Sequence, residues 1–151
     1  MQGTTTILGL DPGPRPGIVG LTVTDGQLVE VRVAPPEAGA VPGMIATADL
    51  VAVERFMVGP GTARKTRGAT GLTMAQAEAW ADAARRYGRK LQYLPAGSVK
   101  PWATDHKLKV WGLYAVTAGA GGHARDAARH ALFYAVRAGV LPIYPADYDG
   151  T

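Results

Sequence analysis

The chain has 151 residues and a mass of 15.8 kDa, which is the size of one domain and too little for two independent cores. Hydrophobic residues make up 47% of it and charged residues 19%, so we expect residues 1–151 to fold as one domain. The lack of cysteine excludes disulfides, thiolate metal sites and a cysteine nucleophile. Because no apolar run reaches the about 18 residues of a membrane span and no basic signal region begins the chain, we expect a soluble, cytoplasmic protein without membrane partners.

Basic side chains concentrate in the middle of the sequence. The whole chain carries 16 Lys and Arg against 12 Asp and Glu, a net charge of +4. Residues 55–109 alone hold 11 basic and three acidic side chains, a net of +8, so the remainder is −4. Such a block is typical of proteins that bind a polyanion such as nucleic acid, and it is equally compatible with a solvated, solubilising face.

The first part of the chain predicts strands. Runs rich in β-branched residues flank residues 11–17, whose prolines and glycines permit only a turn. Asp25-Gly26 marks a second turn, so the first three strands form an antiparallel meander. Residues 35–48 hold at most one weak helix. Strands are predicted at residues 4–10, 18–24, 28–33 and 50–53.

The second part of the chain is dominated by helices. Residues 59–70 predict a polar, basic loop because they combine glycine, proline and threonine with Arg and Lys. Helices are predicted at residues 73–87, 105–116 and 123–138, with a fifth strand at 90–94. This order predicts an α/β domain with a mixed sheet and helices on its faces.

The chemistry-bearing residues fall at strand ends and on one helix face. Asp11 and Glu54 end two predicted central strands, so their carboxylates converge at one edge of the sheet. His123 and Asp126 are three residues apart on the last helix and share a face with His130. Three carboxylates and an imidazole, with no cysteine, suit a hard divalent cation such as Mg²⁺ or Mn²⁺ better than zinc.

Each of these residues also has a plain structural explanation. Asp11 precedes Pro-Gly, where aspartate is a common turn residue. Glu54 follows a buried strand and needs a partner there, which is either a cation or an arginine such as Arg55. Asp126 in a first helical turn stabilises the helix dipole, and His123 is a possible capping residue. Taken singly, these positions leave both explanations open.

Three segments in this order carry a family resemblance: ILGLDPGPRPGIVGLTV, VAVERFMV and HARDAARHALFYAV. They resemble the acidic motifs of RuvC-type Holliday junction resolvases, in the ribonuclease H-like nuclease superfamily, over roughly residues 5–138. The residues of these segments are most similar to those of small phage-encoded members. The resemblance implies a ribonuclease H-like mixed five-stranded sheet, its first three strands antiparallel, with helices on both faces. It also implies the cytoplasm of a bacterial host if the chain is phage-encoded.

The resemblance also assigns residue roles. It implies metal binding by Asp11, Glu54, His123 and Asp126, although many bacterial members have Asp where this chain has His123. Lys100 resembles a family lysine at the scissile phosphate and is the fifth catalytic candidate. The candidate DNA contacts are Arg55, Phe56, Arg64, Lys65, Arg67, Lys100, Lys107 and Lys109. Phe56 stands near the position of the family's aromatic wedge.

The activity implied is that of a Mg²⁺-dependent endodeoxyribonuclease, with Mn²⁺ as a substitute. Two cations bridged by Asp11 would hydrolyse phosphodiester bonds of four-way DNA junctions, leaving 5′-phosphate and 3′-hydroxyl ends. A homodimer through the helix at 73–87 would match the two-fold junction, since the alanines of this helix allow a second packed face that Trp80 would anchor. The alternative is that this helix only covers the sheet, with Trp80 buried against it. Two alternatives stay open: an endonuclease of the same fold that cuts flaps or forks, and a non-catalytic DNA-binding module. The D-P-G turn also resembles actin-like ATPases, which need a second lobe that 151 residues cannot supply.

Overall fold

The structure is a computed structural model that describes residues 3–57 and 67–150. Its centre is a five-stranded sheet in the order β3-β2-β1-β4-β5. The strands are β1 (Thr4–Asp11), β2 (Gly17–Thr24), β3 (Gln27–Val33), β4 (Leu50–Glu54) and β5 (Lys90–Leu94). The first three pair antiparallel, whereas β4 runs parallel to β1 and to β5. The predicted mixed sheet is therefore confirmed, and each predicted strand matches an observed one to within one residue at either end.

Helices cover both faces of this sheet, as expected. They are α1 (Val41–Thr47), α2 (Arg67–Arg86), α3 (Ala96–Val99), α4 (Asp105–Val110) and α5 (His123–Arg137), with short 3₁₀ turns at Ala38–Ala40 and Ala120–Gly122. Residues of α4 and α5 share one apolar core with the sheet, and residues of α1 and α2 share the other. Within the described residues, no helix is long and apolar enough to cross a membrane.

The alternation of side chains along β1 determines which residues meet α5. Ile7 lies in the core under α5, whereas Leu8 and Leu10 lie in the core under α1 and α2. Since successive strand residues point to opposite faces, Gly9 and Asp11 lie on the same face as Ile7. The last residue of β1 is therefore directed to the side of the sheet that α5 covers.

Two glycines let α5 lie directly on the sheet. A Cβ atom added at Gly9 would stand 2.2 Å from the backbone oxygen of Ala127, and one at Gly17 would stand 2.0 Å from that of His123. Both clashes are with backbone, so rotation of a side chain cannot relieve them. Any larger residue would push α5 away. These contacts hold the first turns of α5 above the end of β1.

Helix α2 begins earlier than the sequence predicts. Residues 67–70 were expected in the basic loop, but they form its first turn, so Arg67 is a helical residue. Thr70 and Thr73 are buried on the same side as Ala77. This burial favours helix in a glycine-containing stretch whose intrinsic propensity is low.

Helix α4 ends earlier than the predicted position 116. Its last residue is Val110, and Gly112 follows in the left-handed conformation with φ of 72°. The Leu113 amide donates to the Leu108 carbonyl oxygen at 2.7 Å, and both side chains are fully buried. This is the glycine-terminated Schellman arrangement, which a search for apolar spacing does not reveal.

Candidate active site

Two carboxylates meet where neighbouring parallel strands end. Leu10 of β1 pairs with Val53 of β4, so Asp11 and Glu54, one residue further on, lie side by side. Asp11 is almost completely buried, with 4% of its surface exposed. Its carboxyl group is close enough to that of Glu54 for the two to interact electrostatically. The predicted convergence of these two residues is therefore observed.

Their surroundings move the two pKa values apart. Burial, followed by the charge of Glu54 and a hydrogen bond with it, raises the pKa of Asp11 to about 9. Burial alone would also raise the pKa of Glu54, but the hydrogen bond from His130 and its positive charge outweigh burial and lower it. The pair therefore holds one proton between two carboxyl groups, with Asp11 as its main carrier.

Helix α5 supplies one histidine to each carboxylate. The Nδ1 atom of His123 lies 3.0 Å from Oδ2 of Asp11, and Nε2 of His130 lies 3.1 Å from Oε1 of Glu54. His123 is the first residue of the helix, and Gly122 is its N-cap. The capping role considered for His123 is therefore wrong, and its side chain is free to face the strand ends.

The third carboxylate lies on the same helix among basic side chains. Asp126 Oδ2 is 3.4 Å from Nζ of Lys100, and its Oδ1 is 3.5 Å from Nε of Arg129. Arg129 also binds Asp105 Oδ1 at 2.5 Å and the carbonyl oxygen of Ala103. Asp11, Glu54 and His123 thus lie together at the strand ends. Asp126, three residues after His123 on α5, pairs with Lys100, the fifth predicted catalytic residue.

The turn after Asp11 is tied to the opposite layer. The amide of Gly13 donates to Oε1 of Gln76, on α2, at 2.9 Å. A Cβ atom at Gly13 would be 4.0 Å from Cε1 of His123. The turn is therefore held between α2 and α5, which limits how far the end of β1 can move.

The side chains at this point offer oxygen and imidazole nitrogen atoms, and each of these side chains already has a partner. Within the part of the chain that the structure describes, no three His, Asp or Glu side chains stand together as a preformed metal cluster. Asp11 is engaged with His123, Glu54 with His130, and Asp126 with Lys100. Binding of a cation here requires some of these side chains to exchange partners.

The candidate DNA contacts are in mixed environments. Arg55 is exposed and Phe56 half-buried, directly after β4. Nζ of Lys107 lies 4.6 Å from the centre of the Trp102 ring, and Nζ of Lys109 lies 4.7 Å from that of Tyr114. Arg64 and Lys65 fall outside the described residues, and Arg67 is described only as part of the α2 backbone.

Two site residues received no role from the sequence. His130 and Arg129 follow Asp126 by four and three residues on α5, and each contacts a carboxylate of the site. His130 was placed on the correct helix face without an assigned partner. The signal was the repeat of His123, Asp126 and His130 at helical spacing, which puts three polar groups on one side.

Comparison with known proteins bears on the fold. No protein-family model matches the sequence, and no curated protein matches it. Among solved structures, the chain is similar to T. thermophilus RuvC in complex with a Holliday junction substrate, at 19% identity and a TM-score of 0.54. The similarity covers 90% of this chain and 96% of that one. The chain therefore has the RuvC-like, ribonuclease H-like fold that its sequence motifs implied.

Proposed function

We propose that this protein is a divalent-metal-dependent endonuclease that cuts branched DNA, with four-way junctions as its main substrate. One observation carries the proposal: Asp11 and Glu54 at adjacent strand ends contact His123 and His130 on the helix packed above them, and Asp126 lies on that helix three residues after His123. This arrangement supplies oxygen and nitrogen donors at one point of the surface. A non-catalytic DNA-binding module has no need of buried acidic groups there, because they repel phosphate.

The donor set fits a hard divalent cation. Burial and the charges of Glu54 and Asp126 disfavour ionised Asp11, and a cation at this point would offset that repulsion. Asp11, Glu54, Asp126 and His123 would hold Mg²⁺, or Mn²⁺ in its place. When bound, such a cation neutralises charge on the phosphodiester group and on the leaving oxygen.

Two residues of the chain orient the water and neutralise charge on the phosphate. Where it is not a metal ligand, His123, whose side chain is 41% exposed, orients the attacking water. Lys100, beside Asp126 and half exposed, neutralises charge that develops on the phosphate oxygens. The attacking water gives a proton to solvent as its oxygen bonds to phosphorus, the bond from phosphorus to the 3′ oxygen breaks, and the 3′ oxygen takes up a proton from solvent. The products are 5′-phosphate and 3′-hydroxyl ends.

The substrate class rests on the fold relative and on charge. The similar RuvC structure holds a Holliday junction substrate, and Lys100, Lys107, Lys109 and Arg55 are basic groups within residues 55–109 of this chain. Phosphates of DNA are the matching partners of such groups. Among nucleases of this fold, an enzyme that prefers flaps or forks is the second candidate.

We also propose a homodimer, but with a different anchor from the one expected. Trp80 is 4% exposed and packs inside the chain's own core, so it is wrong as a dimer contact. Near the start of α2, Leu72 is exposed instead, with 75% of its surface accessible. A two-fold dimer would bring two such sites to the two equivalent strands of a junction.

A cleavage assay tests the proposed activity. Synthetic four-way, flap and duplex DNA are incubated with Mg²⁺ or Mn²⁺ and the wild-type protein or Asp11→Asn, Glu54→Gln or Asp126→Asn. Each variant should cut about a thousandfold more slowly, the rate equivalent of several kcal/mol, while still binding the junction. Glu30→Gln, on the exposed surface of β3, is the matched control and should cut normally. Wild-type protein that binds but never cuts would support the binding module instead.

A second assay tests pairing of the cuts. Sedimentation at micromolar concentration should give a dimer, and a cruciform plasmid should be linearised. A monomer that yields only nicked circles would favour the flap nuclease. Leu72→Asp should shift the protein toward monomer if the outer surface of α2 forms the interface, because it places a charge in an apolar contact.

A further inference from the structure

The middle of α5 contains a buried histidine that the proposed mechanism does not use. His130 has 1% of its surface exposed, and its Nε2 atom lies 3.1 Å from Oε1 of Glu54. We infer that His130 is a positioning residue, which holds the Glu54 carboxylate in the orientation needed to bind a divalent cation beside Asp11. This inference rests on the proposed nuclease function and adds a residue to it.

Packing does not explain a histidine at this position. The buried residues of α5 are Ala127, Ala128, His130, Ala131, Leu132 and Ala135. His130 is the polar member of this set, and burial of an imidazole costs free energy unless it makes hydrogen bonds. Its Nδ1 atom makes no hydrogen bond to the residues that the structure describes. The bond to Glu54 is therefore what offsets the cost of burying this ring.

The direction of that hydrogen bond follows from the partner. A carboxylate oxygen accepts hydrogen bonds, so in the 3.1 Å contact Nε2 of His130 donates and Oε1 of Glu54 accepts. Glu54 lies beside Asp11, because Leu10 and Val53 pair one residue before them. Held from one side by His130, the Glu54 carboxylate keeps its place next to Asp11.

The helix seat makes this support rigid. Ala127 and Ala131, which flank His130 by one turn and by one residue, lie against the position of Gly9, where an added Cβ would stand 2.2 Å from the Ala127 oxygen. Because this part of α5 packs directly against the sheet at Gly9, the His130 ring cannot move far from Glu54. By contrast, a glutamate at a strand end has three side-chain torsions and loses precision without a partner.

Three substitutions separate hydrogen bonding from packing. In His130→Gln, the amide nitrogen is the same number of bonds from Cα as Nε2, so the donor stays within reach of Glu54. In His130→Asn, the amide nitrogen matches the position of Nδ1 and falls short of Glu54. His130→Leu keeps apolar bulk without a donor. Thermal unfolding of each variant shows whether it is folded at the assay temperature.

Two measurements are made on each folded variant. The first is the dissociation constant for Mn²⁺ alone, by calorimetry or electron paramagnetic resonance. The second is kcat and KM for junction cleavage. His130→Asn and His130→Leu should lose about 10- to 100-fold in Mn²⁺ affinity and in kcat, as is usual when a group that orients a ligand is removed. KM for DNA should change little, and His130→Gln should recover most of both losses.

The outcomes distinguish the inference from the proposed function. Wild-type protein that neither binds Mn²⁺ nor cuts branched DNA removes the proposed function, and the inference with it. If the wild type does both, equal Mn²⁺ affinity and kcat in His130→Leu overturn the inference alone. Equal impairment of His130→Asn and His130→Gln also overturns it, because the position of the donor would then not matter.

Discussion

The two carboxylate–histidine pairs of the site differ in their access to water. At the first turn of α5, the side chain of His123 is 41% exposed while that of Asp11 is 6% exposed. Two turns further along, His130 is 1% exposed and Glu54 13%. An exposed imidazole can rotate away from its carboxylate to meet a cation or a water molecule. An imidazole enclosed by the core cannot, so the first pair is adjustable and the second acts as fixed support.

The largest expected effect comes from placing a carboxylate at each histidine. His130→Asp buries a second negative charge next to Glu54 without a cationic partner, and we expect it to lower the free energy of unfolding by about 3–5 kcal/mol. His123→Asp should change it by about 1 kcal/mol or less, because water reaches that position. Urea denaturation of both variants measures the difference. Equal losses would show that the two pairs are equally enclosed.

The same His123→Asp variant tests the adjustable pair chemically. Imidazole suits transition metals, whereas a carboxylate suits Mg²⁺. The ratio of cleavage rates in Mg²⁺ and in Mn²⁺ should therefore rise relative to wild type. An unchanged ratio would indicate that His123 does not contact the cation.

A smaller loss of stability is expected from disturbing the seat of α5. Gly9→Ala forces a methyl group against the Ala127 backbone, and overpacking of this kind costs about 1–3 kcal/mol, occasionally more. Gly20→Ala, at a position with nothing within 4 Å of an added Cβ, is the matched control and should cost less. Because Ala127 lies between the two histidines along α5, Gly9→Ala should perturb the ring signals of both in NMR spectra. Unchanged stability and spectra would mean that α5 does not depend on this contact.

Much of this site was predictable because its determinants are local in sequence. The β-branched runs ending in Asp11 and Glu54 indicate both strands and the residues at their ends. The spacing of His123 and Asp126 indicates their shared face. The partner of His130 was not predictable, because Glu54 lies 76 residues away and the contact depends on how α5 is set across β4. That placement depends in turn on Gly9, whose role appears only once a helix lies on it.

Other features were missed for related reasons. Helix α2 extends to Arg67 because Thr70 and Thr73 find burial against other parts of the chain, which no local propensity encodes. Trp80 looked like a dimer contact because a stretch of alanines suggested two packed faces. In the fold, the buried alanines and Trp80 lie on the one face that covers the sheet.

The adjustable pair also predicts a pH dependence of stability. The pKa of Asp11 is raised from 3.8 to about 9 in the folded protein. Between these values the folded state binds more protons than the unfolded chain, so the free energy of unfolding falls as pH rises. Glu54 does not change the direction of this dependence over most of the range, because its pKa is lowered from 4.5. The stability that Glu54 contributes is lost only as the pH falls below 4.5. Asp11→Asn has no carboxyl group at this position, so residue 11 no longer takes up a proton when the chain folds.

The free energy of unfolding of Asp11→Asn minus that of the wild type should therefore be larger at about pH 8.5 than at about pH 5. Denaturant titrations at both values, without divalent metal, measure this difference. Asp82→Asn, an exposed aspartate paired with Arg85 on α2, is the control and should follow the wild type. A constant difference between Asp11→Asn and wild type would show that Asp11 titrates normally.

The smallest expected effect concerns three lysines of the basic segment, residues 55–109. Lys100 contacts Asp126 and is half exposed, whereas Lys107 and Lys109 lie over aromatic rings. If each neutralises one phosphate, each substitution to Ala should lower the slope of log affinity against log salt by about 0.9. Lys90→Ala is the matched control, since Lys90 pairs with Leu50 at the opposite end of the strands from Glu54, and its slope should equal that of wild type. Lys100→Ala should in addition slow cleavage at saturating DNA, because Lys100 is the one of the three that lies beside Asp126, a proposed metal ligand. If the slope of all three variants equals that of the wild type, these lysines form a solvated surface and other groups bind the substrate.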